Sequence, residues 1–393
     1  MGPGMMSGGW LHLVLDDPVF MMEGLQGIPG EFIDRVQGYT DGHIGHQYFR
    51  DSQAVSYVWF RLMEENRVDL LLNTFASDAI VEGNRVVGLV VENKSGTQAI
   101  RAKVVIDGTG DADVAVRAGA PVDEGEGPAA HPGMYFAIGD VNIDAYHTQV
   151  AQKEPRPEDT RWSGETFERE LAGRSWRWTY NHLKPLFPYF RTAWDSGEYK
   201  FIQRIGDRGR VLFDHGLYRG PGQADWAGDR EHGIIGAQVG VWGPRLLSGD
   251  AMMMMELEIG CRDYIFETVQ FLRRHVPGFE SAYLHTIAPF FHSRGGRAAI
   301  PEYQITEADA AEARRFDDVI FVSHPCDFPY RQLLPRGVEG LLVAGRSAII
   351  QPPSLRNRWK CLLMGQAAGL AAARAARAGV TPRKVDVKEL QRT

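Results

Sequence analysis

Long apolar runs are missing from this 393-residue sequence. No stretch approaches the roughly 18 consecutive apolar residues of a membrane-spanning helix, and no basic segment leads into an apolar one near Met1 in the manner of a secretory signal. A cytoplasmic protein with no membrane partner is expected. Cysteine is scarce. Cys261, Cys326 and Cys361 stand far apart and form no Cys-x-x-Cys pair, which excludes a disulfide framework and a zinc ribbon. Positive charge is not in excess either: 43 lysines and arginines face 50 aspartates and glutamates, for a net charge of −7, and no basic stripe interleaves with aromatics. A nucleic-acid partner is therefore not expected. No serine sits in a Gly-x-Ser-x-Gly context, so nothing points to a hydrolase. Gly42 and Gly45 disfavour the helix that would put His43 and His46 on one face, and no metal site is expected.

What is abundant is glycine. With 44 glycines, 44% hydrophobic and 24% charged residues, the composition is that of a globular chain with tight turns and close backbone approaches to a ligand. Its length suits two compact domains or one two-lobed one. Apolar spacing predicts helices around Pro29 to Val36 and over Val55 to Glu65, then a short buried strand at Val68 to Leu72. Phe75 to Val81, Arg85 to Asn93 and Thr97 to Ala102 read as a strand meander, punctuated by the turns Glu82-Gly-Asn84 and Lys94-Ser-Gly96. From about Glu124 to Asp229 prolines, tryptophans and charges replace periodic segments. This suggests an inserted lobe, with Arg161 to Asn181 as a helical excursion that shapes a pocket or an interface. Met252 to Phe271 predicts a long helix, ended by the breakers Val276-Pro-Gly-Phe279. Its run of four methionines is expected to point in several directions and pack as core. Phe316 to Val322 and Val338 to Ala344 read as strands, and a helix is expected from about Leu355 to Ala378.

Two strand-to-glycine junctions carry the chemistry. In Lys103-Val-Val-Ile-Asp-Gly-Thr-Gly-Asp-Ala-Asp113 a buried strand ends, Gly108 and Gly110 permit close backbone approach, and a helix begins with its amides outward. Asp111 and Asp113 read equally as helix caps or as cofactor contacts. In the second junction Leu341 to Ala344 leads into Gly345 and Arg346. The later Met364-Gly-Gln-Ala-Ala-Gly369 removes side-chain bulk from one helix face, for close packing or for a ligand. A full Gly-x-Gly-x-x-Gly fingerprint after a strand does not occur: Gly2-Pro-Gly4 starts one, but Ser7 stands at the third glycine position.

IDGTGDADVAVRAGAP, FFHSRGGRAAIPEYQITEADAAEARRFDDVI, PYRQLLPRGVEGLLVAGRS and GQAAGLAAA, in that order, together with GIPGEFIDRV at Gly27 to Val36, resemble the FAD-dependent oxidoreductases whose fold is like glutathione reductase and the succinate dehydrogenase flavoprotein. The likeness runs along nearly the whole chain and is weakest from Glu124 to Asp229. It implies an α/β fold: an incomplete Rossmann-like FAD/NAD(P)-binding domain, made of residues 1–123 and 315–393, with an inserted α+β substrate domain over 124–314. It also implies FAD as cofactor and hydride transfer between flavin N5 and a small organic substrate. On this resemblance Phe75 and Ala76, at a strand end, meet the adenine. Asp107, Gly108, Thr109, Gly110 and Asp111 form the second FAD motif, and Gly345 and Arg346 the motif near the ribityl chain. Gly365, Gln366 and Ala367 face the flavin O2 edge from the N-terminal side of a helix.

The family's first βαβ unit, which grips the pyrophosphate, has no counterpart in the sequence. An incomplete chain, a second polypeptide supplying that unit, and a non-catalytic remnant that holds FAD poorly are the readings left open. A homo-oligomer is equally compatible. For the chemistry, His292 and His324 are the candidate acid and base near neutral pH, and Arg294 the anchor beside them. Arg297 shares the His292 loop. Tyr330, Arg331, Arg356 and Arg358 are candidate substrate contacts, arginine being suited to two-pronged capture of a carboxylate. Cys326 is expected to be a passive buried thiol.

Overall fold

The computed structural model describes residues 25–39, 52–124, 132–162, 165–166, 183–216, 226–227, 229–242, 247–291, 293, 295–349 and 358–392. His43, His46, His292, Arg294, Arg356, the side chain of Arg358 and most of the tryptophan-rich stretch lie outside this set.

Helices α1 (Gly27–Tyr39) and α2 (Ser52–Glu65) fall where the apolar spacing predicts them. Phe32, Ile33 and Val36 of α1 meet Val55, Val58 and Leu62 of α2, and Trp359 closes the cluster. Next comes the expected meander of β1 (Phe75–Glu82), β2 (Arg85–Asn93) and β3 (Gly96–Arg101), antiparallel throughout. The second turn is set by Asn93, whose Oδ1 accepts the Ser95 amide at 2.8 Å. Val68 to Leu72 differs from expectation. It forms no strand, and Val68 and Leu71 are 47% and 56% exposed. Among the described residues no strand runs beside this segment to ladder with it, so its apolar pattern has neither partner nor cover.

β4 (Val105–Asp107) and β10 (Leu341–Val343) pair in parallel, in the register Val105 to Leu341 through Asp107 to Val343. The Ala344 amide continues the ladder to the Asp107 carbonyl at 3.0 Å. Both strands therefore stop side by side. Helix α6 (Arg358–Ala378) packs on them through Met364, Ala367, Ala368 and Ala371, small residues that allow a close helix-to-strand approach. Between the junctions, Asp113–Arg117 makes the short helix α3.

The second lobe is an antiparallel sheet covered by one long helix. Its main order is β9 (Tyr283–Ile287), β5 (Gly133–Val141), β8 (Gly233–Trp242), β7 (Gly209–Gly216) and β6 (Ile202–Ile205). Helix α4 (Phe187–Asp195) supports one end, and α5 (Ala251–His275) lies across the sheet. Phe136, Ile138, Phe213 and Val239 from the strands form one core with Leu257, Tyr264, Ile265 and Phe271 from α5. Asp250 caps α5 by accepting the Met252 and Met253 amides, both at 3.0 Å, and Arg273, Arg274 and His275 occupy its last turn, where the helix dipole favours cations. The methionine run divides as helical geometry requires: Met253 is buried, whereas Met252 and Met255 are 58% and 47% exposed.

The central strands of this sheet went unmarked by the periodicity. In Gly233-Ile-Ile-Gly-Ala-Gln-Val-Gly-Val-Trp242 both faces are largely buried and glycines interrupt the apolar positions, so no alternation appears. The tryptophan-rich stretch, as far as it is described, is extended: Arg161–Trp162 pairs with Glu165–Thr166. Core packing passes from one lobe to the other between Phe291 and Ala299, and Ile305 already belongs with the parallel pair, ahead of the lobe boundary expected at residue 314.

Candidate functional site

The two strand ends of the parallel pair build one turn. Asp107 is fully buried; its Oδ1 accepts the Thr109 amide and hydroxyl at 2.9 and 2.7 Å, and its Oδ2 accepts the Ala115 amide at 2.9 Å. Its carboxylate organises the turn rather than facing a ligand. From the other strand end Ser347 reaches across, and its Oγ accepts the amides of Gly110 at 2.9 Å and Ala112 at 3.1 Å. Those amides are presented by left-handed backbone at both residues, with φ +92° and +53°. Glycine suits the first, where a Cβ would also stand 3.2 Å from the Arg346 guanidinium. Alanine at the second stores about 1–2 kcal/mol of strain.

The two acids of the turn are held by arginines, so neither is a cap. Arg346 grips Asp111 with two prongs, Nη1 to Oδ1 at 2.7 Å and Nη2 to Oδ2 at 2.6 Å, and Nη1 also reaches the Gly295 carbonyl at 2.8 Å. Arg297 donates through Nε to the Asp111 carbonyl at 2.8 Å and through Nη2 to Asp113 at 2.6 Å. The α3 cap position is Ala112, and the Asp113 amide is received by the Thr109 hydroxyl instead. Gly296, at φ +143°, passes so close that a Cβ would fall 2.5 Å from Ser248 Oγ and 2.6 Å from Arg346 Nη1. Two lobes are thus joined at this turn by charge-assisted hydrogen bonds.

Beside the turn the glycines open onto space. A Cβ at Gly108, Gly345, Gly365 or Gly369 would meet no atom within 4 Å. Backbone and a bare helix face are therefore presented where an extended or planar ligand can lie against them.

A family model for FAD dependent oxidoreductases matches residues 3–393. The chain belongs to that family. FAD is accordingly its cofactor, and the glycine-lined space fits such a group. No curated protein matches the sequence. Among solved structures, this FAD dependent oxidoreductase is similar to the flavin-dependent brominase Bmp2, at 13% identity and a TM-score of 0.34 over 88% of this chain and 58% of that one. It is also similar to p-nitrophenol 4-monooxygenase PnpA from Pseudomonas putida DLL-E4, at 11% identity and a TM-score of 0.32 over 85% of this chain and 55% of that one. A third is a geranylgeranyl bacteriochlorophyll reductase-like protein from Thermoplasma acidophilum, at 11% identity and a TM-score of 0.33 over 89% of this chain and 68% of that one. The chain spans between 45% and 59% of the length of the first structures it matches. Among the described residues no helix is long and apolar enough to cross a membrane, and no group of three or more His, Cys, Asp or Glu residues is placed to hold a metal.

The remaining expected site residues of this oxidoreductase are dispersed. Phe75 is 80% exposed and, with Ala76, begins β1 instead of ending a strand. Gly365, Gln366 and Ala367 lie about two turns inside α6, where the amides are already bonded along the helix. Helix-terminal amides therefore cannot come from these three residues. Gln366 serves another purpose: its Oε1 accepts the Ile28 amide at 2.8 Å and ties α1 to α6, while Ala367 is core. Tyr330 is buried and donates to the Pro382 carbonyl at 2.8 Å, and burial pushes its hydroxyl pKa up. Arg331 holds Asp318 at 2.9 and 3.1 Å and lies over the Tyr303 ring, the Asp318 carboxylate raising its pKa. Both side chains are engaged in internal contacts, Tyr330 buried and Arg331 about half exposed. His324 is exposed, and its carbonyl receives Nζ of the buried Lys360 at 2.8 Å. Cys326 is buried, which pushes its thiol pKa up.

Ser347, the pairing role of Arg297, and Lys360 were not identified from sequence. Arg297 was visible in His292-Ser-Arg-Gly-Gly-Arg297, but only the fold shows that it meets Asp113. A serine two residues after Gly345 carries no pattern of its own.

Proposed function

We propose that this FAD dependent oxidoreductase transfers hydride between a small organic substrate and flavin N5, with the cofactor along the glycine junctions of β4 and β10. The supporting observation is the open space at Gly108, Gly345, Gly365 and Gly369 beside a turn whose acids are already neutralised by arginine. FAD, when bound, supplies the two-electron carrier. The backbone of Gly108 and Gly345 would approach the cofactor, the Asp111–Arg346 pair would offer polar contacts to its ribityl side, and Phe75 with Ala76 would meet the adenine. Residues 1–123 and 315–393 form the cofactor lobe in this reading and 124–314 the substrate lobe, although Ala299 and Ile305 pack with the cofactor-lobe core. His324, together with His292, moves the substrate proton, and Arg294, Arg356 and Arg358 anchor substrate charge. The exposure of His324, on a loop fastened to the start of α6 by Lys360, suits it to that role.

A specific observation favours a further unit at the nucleotide end. Val68, Leu70, Leu71 and Leu72 are exposed together, and no described strand lies beside them.

The test is anaerobic mixing of the FAD-loaded protein with panels of alcohols, amines and 2-hydroxy acids. Bleaching of the flavin by one class, retained after exchange of FAD for its 5-deaza analogue, is expected, because that analogue carries hydride but does not support oxygen chemistry. Anaerobic bleaching of FAD that disappears with the 5-deaza analogue, or no bleaching by any class, would overturn hydride transfer.

A further inference from the structure

Arg297 lies on the short segment that runs between the two larger cores, from Phe291 in one to Ala299 in the other. Its backbone and its side chain serve different lobes. The Arg297 amide donates to Ser248 Oγ at 2.9 Å, in the loop that leads into α5. On either side of that serine, Leu247 packs on the core under α5 and Asp250 caps the helix, so the loop belongs to the second lobe. The Arg297 side chain turns instead to the strand ends of the parallel pair. Nε meets the Asp111 carbonyl at 2.8 Å, and Nη2 meets Asp113 at 2.6 Å.

Gly249 and Gly296 show how closely these parts are fitted. A Cβ at Gly249 would stand 2.7 Å from Arg297 Nη1, and one at Gly296 would stand 2.5 Å from Ser248 Oγ and 2.8 Å from Asp111 Oδ1. Nε and Nη2 are thus bonded and Nη1 is enclosed, with the arginine side chain 12% exposed. Asp113 is 38% exposed, and an ion pair open to water to that degree contributes little by itself. What Arg297 supplies is connection. One planar fork holds the turn at two points while the residue's own amide is held by the start of α5, a combination that lysine, with a single ammonium, cannot reproduce.

We propose that Arg297 couples the cofactor turn to the second lobe, so that FAD seated against Gly108 and Gly345 also orders the Ser248–Gly249 loop and α5. This coupling rests on the placement of FAD at those glycines. A ligand against Gly108 restricts the turn that follows it, and with it the Asp111 carbonyl and the Asp113 carboxylate. Arg297 then loses less freedom in holding both, and the loop bonded to its amide shares the gain. The consequence is an order of assembly: the second lobe is firmed once the cofactor is in place.

Amide hydrogen exchange of the whole chain, read by mass spectrometry with and without saturating FAD, tests this, because separate cores can open separately. In wild type, FAD should slow exchange from Thr109 to Ala115 and also, by about fivefold or more, along α5. Arg297→Met should keep the first effect and lose the second, and Arg297→Lys should behave in the same way. Ser248→Ala leaves the arginine and both acids in place and should lose most of the α5 effect. It decides alone if Arg297→Met does not fold or does not take up FAD. Slowing at the turn without slowing along α5 in wild type, or an α5 effect of wild-type size in the deciding variant, overturns the coupling and leaves the cofactor placement standing. FAD that does not bind, or that binds without slowing the turn, overturns the placement and the coupling with it.

Discussion

Ser347 carries more of the site than its size suggests, since one hydroxyl receives two amides of a turn that has no other partner for them in the strand ladder. Ser347→Ala should cost about 1–3 kcal/mol, the penalty for leaving buried donors unsatisfied. A lowered urea midpoint with unchanged slope would register it. Ala112 poses the opposite case. Its left-handed backbone costs about 1–2 kcal/mol, more than the roughly 0.5–1 kcal/mol by which a glycine loosens the unfolded chain. Ala112→Gly should therefore stabilise the protein slightly, raising the same midpoint. The strand-to-turn junction itself was legible, because Gly108 and Gly110 after an apolar strand are a local signal. It did not tell whether Asp111 and Asp113 cap a helix or touch a ligand. That depends on Arg346 and Arg297, which lie far along the chain and meet the acids only in three dimensions.

At the level of elements, legibility followed the completeness of the local pattern. α5 was readable from its spacing and its breakers, and its start rests on a named cap. Asp250→Ala should cost about 1 kcal/mol, measurable as a lower melting temperature. The strands β5, β7 and β8 were not readable, since burial on both faces erases alternation. Val68 to Leu72 misled for a complementary reason: an apolar run predicts a strand, but a strand also needs a neighbour. The base of β8 carries a pH-dependent contact as well. His232 Nδ1 lies 2.5 Å from Asp140, and the hydrogen bond to that carboxylate raises the histidine pKa. The contact's stabilisation is then fully present below the ordinary histidine pKa, about 6.5, and is lost as pH rises through the raised folded value. Melting curves of wild type and His232→Gln should differ most in mildly acidic buffer and converge in alkaline buffer.

The described residues form three cores, and a charged turn links the core around the parallel pair to the segment that carries Arg297. Resemblance along the chain identified the lineage before any geometry was known, because its motifs are short, ordered and spread over both lobes. Packing then showed which motif residues face open space and which are spent on structure. The measurement that tests this division most directly is FAD titration of wild type and Gly365→Leu, followed by flavin fluorescence and melting temperature. Leucine at 365 would extend into space where, among the described residues, an added Cβ meets no atom within 4 Å. The account predicts that wild type binds FAD saturably and melts at a higher temperature with it. Gly365→Leu should melt no lower than unliganded wild type and bind FAD at least about tenfold more weakly. Equal FAD binding by the two proteins, or none by either, would contradict the placement of the cofactor along these glycines.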